Sequence, residues 1–376
     1  MSLLGPIALQ RAYYYCHRCG HGVFPWDQAV GLTTKRLTPA AEQVVTLAGT
    51  LSDSFAEAAT KVLPQLAGLR LAETTVERTT EAAGERLGRH LHAGRTLGVR
   101  RPWTWHRDAT GKTCAYVSVD ATGVRQQGPR GGPAEGRMPY VGMVYNPVPE
   151  LPPECPHRPP PKAAMQARYL AGLHELDELG AQLRRQAGQV GMNDAERWIG
   201  LTDGGNGLEQ FLQKNFPRDL VVILDFWHAA EHLADLAKTF HPTDEEAAQT
   251  LTQEWCQILK RQGGQAIVAV LEKLELPPRR PPLAAKHAEV LGYLQSNVHR
   301  MDYPRYLASG WLIGSGAVES ACKTVVGQRL KLAGMRWGQN GTAALCHLRA
   351  LFKSERGQWE AFWARRLNES TSALPT

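Results

Sequence analysis

The chain has 376 residues, with 43 Lys and Arg against 36 Asp and Glu and a formal net charge of +7; that length predicts two or three domains. At 43% hydrophobic and 21% charged it has the composition of a globular protein, and no run reaches the ~18 apolar residues of a membrane span. The apolar start M-S-L-L-G-P-I-A-L lacks the basic segment of a secretory leader, and seven scattered cysteines do not make a disulfide framework, so a cytoplasmic location is expected.

In chain order, Y-Y-Y-C-H-R-C-G-H-G at 13–22 predicts a short strand and a knuckle turn. Its C-x-x-C pair, Cys16 and Cys19, supplies half of a tetrahedral Zn2+ site, with an inert knuckle as the alternative. Thr38-Pro39 reads as a helix N-cap followed by Pro at the first helical position, and Leu47, Leu51 and Phe55 continue at helical spacing. A helix over Ser54–Leu63 should stop at Pro64, turn at 68–70, and give way to a second helix from Glu73 to Leu91. Short helix, tight turn and polar second helix is the helix-turn-helix pattern, with Thr74, Thr75 and Arg78 as candidate DNA contacts. An ordinary helical hairpin has the same pattern.

Cys114–Gln126 alternates as a strand, a Gly- and Pro-rich turn follows, and 139–146 returns as its hairpin partner. Residues 147–161 are too rich in proline for a helix or central strand and read as an extended connector. A helix is expected over Ala163–Ala187, with Leu170, Leu173, Leu176, Leu179 and Leu183 on one face. The apolar runs 197–202 and 220–224 read as buried strands. The chain from Phe226 to Leu307 is mostly helical, interrupted at 276–283, and helical again after Gly314.

Three acids stand at strand ends: Asp120 in Y-V-S-V-D-A-T-G, Asp203 in I-G-L-T-D-G-G-N-G and Asp225 in V-V-I-L-D-F-W-H. A carboxylate is costly inside a buried strand, whereas the C-terminal edge of a sheet is where α/β folds place ligands. Each Asp is also an ordinary turn residue. A fourth acid, Glu319, lies in the first turn of a predicted helix. Hard oxygen donors of this kind suit Mg2+ or Mn2+, and two such ions support phosphoryl transfer. H-x-x-E-H at 228–232 also resembles an inverzincin zinc site, a reading that leaves the strand-end acids unexplained. From Ser320 onward nine Lys and Arg stand against three Glu, a bias suited to a polyanion, although a basic tail is commonly a solvated helix face.

Several long motifs resemble, in order and over nearly the whole chain, the ISKra-type (IS-Kra-four family) bacterial insertion-sequence transposases. They are Y-Y-Y-C-H-R-C-G-H-G-V-F-P-W-D-Q-A-V-G-L, V-S-V-D-A-T-G-V, D-F-W-H-A-A-E-H-L, N-V-H-R-M-D-Y-P-R-Y-L-A-S-G-W-L-I-G-S-G, G-S-G-A-V-E-S-A-C-K and R-L-K-L-A-G-M-R-W. The resemblance implies an α/β fold with a ribonuclease-H-like mixed-sheet catalytic core and an all-helical insertion. It implies a DDE transposase whose acids, Asp120, Asp203 and Glu319, hold two Mg2+ or Mn2+ ions for hydrolysis and strand transfer of DNA. Asp225, with His228, is then a supporting pair or the alternative second acid. Lys323, Arg329, Lys331, Arg336 and Trp337 fall in the family's basic block as expected DNA contacts, with packing as the alternative role for Trp337. The expected ranges are 1–36 for a partial zinc ribbon, 37–105 for the helix-turn-helix region, 110–228 for the first part of the core, 229–304 for the insertion and 305–376 for its completion. Family members carry a second C-x-x-C ahead of this one, so an N-terminally truncated copy is expected, which leaves a silent DNA-binding remnant or a nuclease of the same fold as alternatives. The partners implied are element ends with terminal inverted repeats, target DNA and a second copy of the chain in a bacterial, nucleoid-associated setting, with no membrane.

Overall fold

The computed structural model describes residues 1–29, 32, 37–147, 165–205 and 207–371. Tyr14–Cys16 (β1) and His21–Val23 (β2) pair antiparallel as the arms of the knuckle, and a short helix, Pro25–Ala29 (α1), follows. Thr38 caps Pro39–Leu51 (α2): its hydroxyl accepts the Ala41 N–H, and Pro39 at the first turn brings no orphan donor.

Pro64 does not end the next helix. Phe55–Glu57 (α3) passes through a π-helical turn, Ala58–Val62, into Leu63–Ala67 (α4). Proline removes a donor and crowds the turn before it. The widened turn, in which the Leu63 N–H reaches the Ala58 carbonyl, takes the ring without breaking the helix. Glu73–His92 (α5) then buries Val76, Thr80, Ala83, Leu87 and Leu91 along one face.

His106–Arg107 (β3) leads into Thr113–Ala121 (β4). The strand expected to continue to Gln126 breaks after Ala121. Val124–Gln127 (β5) pairs instead with Pro133–Arg137 (β6), and Trp337 completes that ribbon: the Gln127 N–H donates to its carbonyl and its own N–H to Arg125. The hairpin partner of β4 is Tyr140–Asn146 (β7). Pro147 is described, but the rest of the proline-rich connector and residues 163–164 lie outside the described residues.

The helix expected over 163–187 divides in two. Gln166–Gly172 (β8) is an edge strand antiparallel to β7, and Leu176–Gln189 (α6) is the helix. Leu170 therefore belongs to the sheet, while Leu179 and Leu183 pack over β7 from the helix. Arg197–Thr202 (β9), Leu208–Asn215 (α7) and Val221–Leu224 (β10) complete the sheet.

The strand order is β10-β9-β4-β7-β8, with β3 beside the start of β4. β9 is parallel to β4 and to β10, whereas β7 is antiparallel to both β4 and β8. The fold is mixed α/β. Beyond β10 come Phe226–Phe240 (α8), Glu245–Gln262 (α9), Gly264–Glu272 (α10), Pro281–Asn297 (α11) and Tyr303–Ala308 (α12). The Tyr303 hydroxyl donates to the Leu224 carbonyl at 3.0 Å and ties these helices to β10.

Gly316–Ala321 (α13) runs through a second π-helical turn, Cys322–Gly327, into Gln328–Leu330 (α14), followed by Gln339–Lys353 (α15) and Gln358–Thr371 (α16). α15 lies between β8 and α5. A Cβ on Gly84 of α5 would stand 2.4 Å from the Ala344 carbonyl oxygen, so this helix contact requires glycine. Through it the N-terminal helices and the sheet share one apolar core. Among the described residues no helix is long and apolar enough to cross a membrane.

Candidate active site

β4 is buried from Cys114 to Val119, and its side chains alternate between the two faces. Asp120 emerges half-buried near its C-terminal end. Its Oδ1 accepts the Ala121 N–H at 2.6 Å, and its Oδ2 accepts the Cys322 thiol at 3.3 Å, from the helix that follows Glu319. Burial raises the Asp120 carboxyl above its ordinary value and the negative charge of Asp203 adds to the effect, while the Ala121 and Cys322 hydrogen bonds and His228 oppose it. Burial and Asp120 together push the Cys322 thiol up, so it stays protonated and donates.

Asp225 is fully buried and caps α8. Its Oδ1 accepts the N–H groups of Trp227 at 3.0 Å and of Ser315 at 3.2 Å, and its Oδ2 faces the Ser315 hydroxyl at 2.8 Å. The same hydroxyl lies 2.6 Å from Glu319 Oε1. A serine has one proton to donate, so one of these two oxygen pairs is close without a proton from Ser315 between them. Asp225, His228 and Glu319 each offer a ligand atom within 4.8 Å of the other two. The Phe226 N–H donates to the Ile313 carbonyl at 2.9 Å, which docks the segment before Glu319 onto α8.

Asp203 follows β9 directly and is half-exposed; its Oδ1 accepts the Gly205 N–H at 3.0 Å. A carboxylate has about four acceptor sites. Asp225 accepts two backbone N–H groups and faces the Ser315 hydroxyl, whereas among the described residues Asp203 accepts one N–H, so Asp203 keeps more oxygen lone pairs free for an external ligand. A Cβ on Gly204 would meet the Tyr293 hydroxyl at 2.4 Å, which explains glycine in the D-G-G turn. Burial pushes the Tyr293 phenol up to about 12, Arg300 opposes this, and Asp203 and Asp225 reinforce it. Arg300, 3% exposed, donates to Thr202 Oγ1 at 3.1 Å and pairs with Glu209 at 3.3 Å, fixing a positive charge beneath the Asp203 turn.

Among the described residues, no third ligand groups with His228 and His232 to complete an inverzincin site. His228 groups with Asp225 and Glu319, while His232 stacks on Tyr293 with ring centroids 3.9 Å apart. At the knuckle, hydrogen bonds from the Cys19 backbone and side chain and from the Arg18 backbone lower the Cys16 thiol below its ordinary value, a state suited to ligation. Among the described residues, no third ligand gathers with this pair.

Thr74 and Arg78 are exposed and Thr75 half-buried at the start of α5, and Lys323, Lys331 and Arg336 are exposed. Two expected DNA contacts are corrected. Arg329 is 1% exposed, with its guanidinium 4.6 Å from the Phe55 ring centroid and 4.8 Å from that of Trp337; burial lowers it to about 10, with help from Arg349. Trp337 is buried beside Phe55 and its indole N–H donates to the Leu330 carbonyl at 3.2 Å. Both side chains face the interior because the 331–338 segment folds back to extend the β5 ribbon.

Sequence reasoning assigned no role to Ser315, Cys322, Tyr293, Arg300 or Trp227, the last of which is 63% exposed beside Asp225. Ser315 and Arg300 lay within motifs already singled out, G-S-G and N-V-H-R. Tyr293 carried no signal, because it comes from a helix far along the chain. No known family model and no curated protein matches this chain.

Proposed function

We propose that the chain is a DDE transposase with a ribonuclease-H-like core, which cleaves DNA at the ends of a mobile element and joins those ends to target DNA. The observation that supports this is the placement of acids at one end of the sheet, with Asp120 near the end of β4, Asp203 after β9 and Asp225 after β10, and with Glu319 grouped with Asp225 and His228. Asp120 also accepts the Cys322 thiol at 3.3 Å, one turn beyond Glu319, which ties the Glu319 helix to β4. The strand order, with three antiparallel strands flanked by two parallel to the first, agrees with such a core.

The donor set is rich in carboxylate oxygen, and the overcommitted Ser315 proton leaves negative charge to be neutralised, so the site suits Mg2+ or Mn2+. Asp120, Asp203 and Glu319 would hold the ions. When bound, two such ions stabilise the attacking and leaving oxygens of a phosphodiester displacement. Asp225 and Ser315 set the approach of the Glu319 helix, and Arg300 limits repulsion beneath the Asp203 turn. Lys323, Lys331 and Arg336 supply exposed positive charge for the phosphate backbone.

The test is nicking of duplexes that span the ends of the element carrying the gene, with Mg2+ or Mn2+. Asp120→Asn and Glu319→Gln are expected to abolish cleavage while the gel shift persists. Cleavage retained by either variant would sink the assignment, and a specific shift without wild-type cleavage would mark a DNA-binding remnant.

A further inference from the structure

Away from the acids, four side chains meet where α5, α6, α15 and the end of β8 come together. His92 ends α5, His174 follows β8, Glu178 lies in the first turn of α6 and His347 is in α15. Ligand atoms of His92, His174 and Glu178 lie within 4.8 Å of one another. Glu178 contacts Nδ1 of both rings, at 3.7 Å for His174. The His347 ring centroid stands 5.4 Å from that of His174 and 6.4 Å from that of His92.

His174 and His347 are each 7% exposed, and the Nε2 of each is buried without a hydrogen-bond partner among the described residues. Both nitrogens converge above Gly172, where a Cβ would stand 2.7 Å from one and 3.0 Å from the other. Two neighbouring buried polar atoms left bare are costly unless something binds them. His347 Nδ1 lies 3.4 Å from the Gly84 carbonyl, a contact that places the proton on Nδ1 and leaves a lone pair on Nε2. A metal-bound histidine characteristically donates its other N–H in this way.

We propose that His92, His174, Glu178 and His347 form a structural site for a divalent transition-metal ion of the zinc class, distinct from the acid edge. Imidazole-rich donors select such ions over Mg2+, which prefers oxygen. Gly172 pairs with Tyr140, which pairs with Ala121, so the site lies two strands from the acid-bearing strand, roughly 10 Å. A bound ion would fasten α5 and α15 to the sheet.

The test strips the full chain with a chelator, reloads it with Zn2+ in excess Mg2+, and measures bound zinc and melting temperature. A Cys16→Ser/Cys19→Ser chain serves as the reference, so that the knuckle contributes nothing. The reference should hold one zinc ion per chain and melt higher with zinc than without. His92→Gln and Glu178→Gln should each weaken zinc binding by at least about tenfold while melting like the reference when metal-free. His174→Gln should do the same; if it fails to fold, His92→Gln, whose ring is half-exposed, carries the test. A reference chain that binds no zinc, or equal zinc affinity in both His92→Gln and Glu178→Gln, overturns the site.

Discussion

The division of labour between Asp203 and Asp225 gives the sharpest prediction. Asp225 is fully buried, accepts from two backbone N–H groups and has the Ser315 hydroxyl 2.8 Å from its Oδ2. Asp225→Ala removes a helix cap worth about 1 kcal/mol and strands buried donors of Ser315 at about 1–3 kcal/mol. A total near 3 kcal/mol is expected. Asp225→Asn keeps a carbonyl for both N–H groups and turns an amide toward the Ser315 oxygen, so its loss should stay under about 1 kcal/mol, since Asn caps as well as Asp. Asp203→Asn changes one hydrogen bond on a half-exposed turn and should shift stability by no more than about 0.5 kcal/mol. Urea unfolding followed by circular dichroism, paired with the element-end cleavage assay, separates the roles. Asp203→Asn should fold like wild type and not cleave, whereas Asp225→Asn should fold and retain partial cleavage. If Asp225→Asn abolishes cleavage at wild-type stability while Asp203→Asn still cleaves, Asp225 is the second metal ligand and the lone-pair argument is wrong.

Other outcomes follow from the packing and the charges. Burial would raise the Asp108 carboxyl, but hydrogen bonds from Thr110, the Trp311 indole and the Lys112 N–H bring it down to about 2. Its stabilisation, on the order of 2 kcal/mol for this buried carboxylate, is therefore present above pH ~4 and lost as pH falls toward 2; in urea unfolding Asp108→Asn should close its gap to wild type over that window, and a constant gap contradicts this. Gly84→Ala should destabilise by about 1–3 kcal/mol through its clash with the Ala344 backbone, while Gly292→Ala on α11, with nothing within 4 Å, should stabilise by up to about 1 kcal/mol in the same measurement. Arg336→Ala should lower the salt dependence of DNA binding by about one unit of slope, whereas Trp337→Ala should cost about 3 kcal/mol of stability; equal effects of the two on binding alone would refute the interior placement of Trp337.

Strands were legible where a continuous apolar run met turn residues, as in β9 and β10. They were not legible where spacing was ambiguous. Leu170, Leu173, Leu176, Leu179 and Leu183 fit a helical face, yet Leu170 pairs in β8 because Gln166–Gly172 finds a full register along β7. Periodicity cannot report a partner strand that lies elsewhere in the chain. Pro64 misled in the opposite sense, since a π-helical turn absorbs a residue that propensity alone treats as a stop. At the site, each acid was visible as a polar residue ending an apolar run. The partners that decide their roles, Ser315, Tyr293 and Arg300, are brought in by tertiary packing.

The basic tail shows most clearly what a charge count misses. Arg329 lies between two aromatic rings, and Arg349 is spent inside the fold on the carbonyls of Val325, Thr50 and Thr324. Neither can meet a phosphate without leaving the core. The Lys331 ammonium instead donates to the Thr122 hydroxyl at 2.9 Å, two residues beyond Asp120. Its charge is thus fixed at the acid edge, where it offsets the charge of the carboxylates. On the transposase reading proposed above, a single lysine in that position would steer DNA more than two arginines buried elsewhere, because exposed charge attracts phosphates within about a Debye length of roughly 10 Å, while buried charge serves the fold.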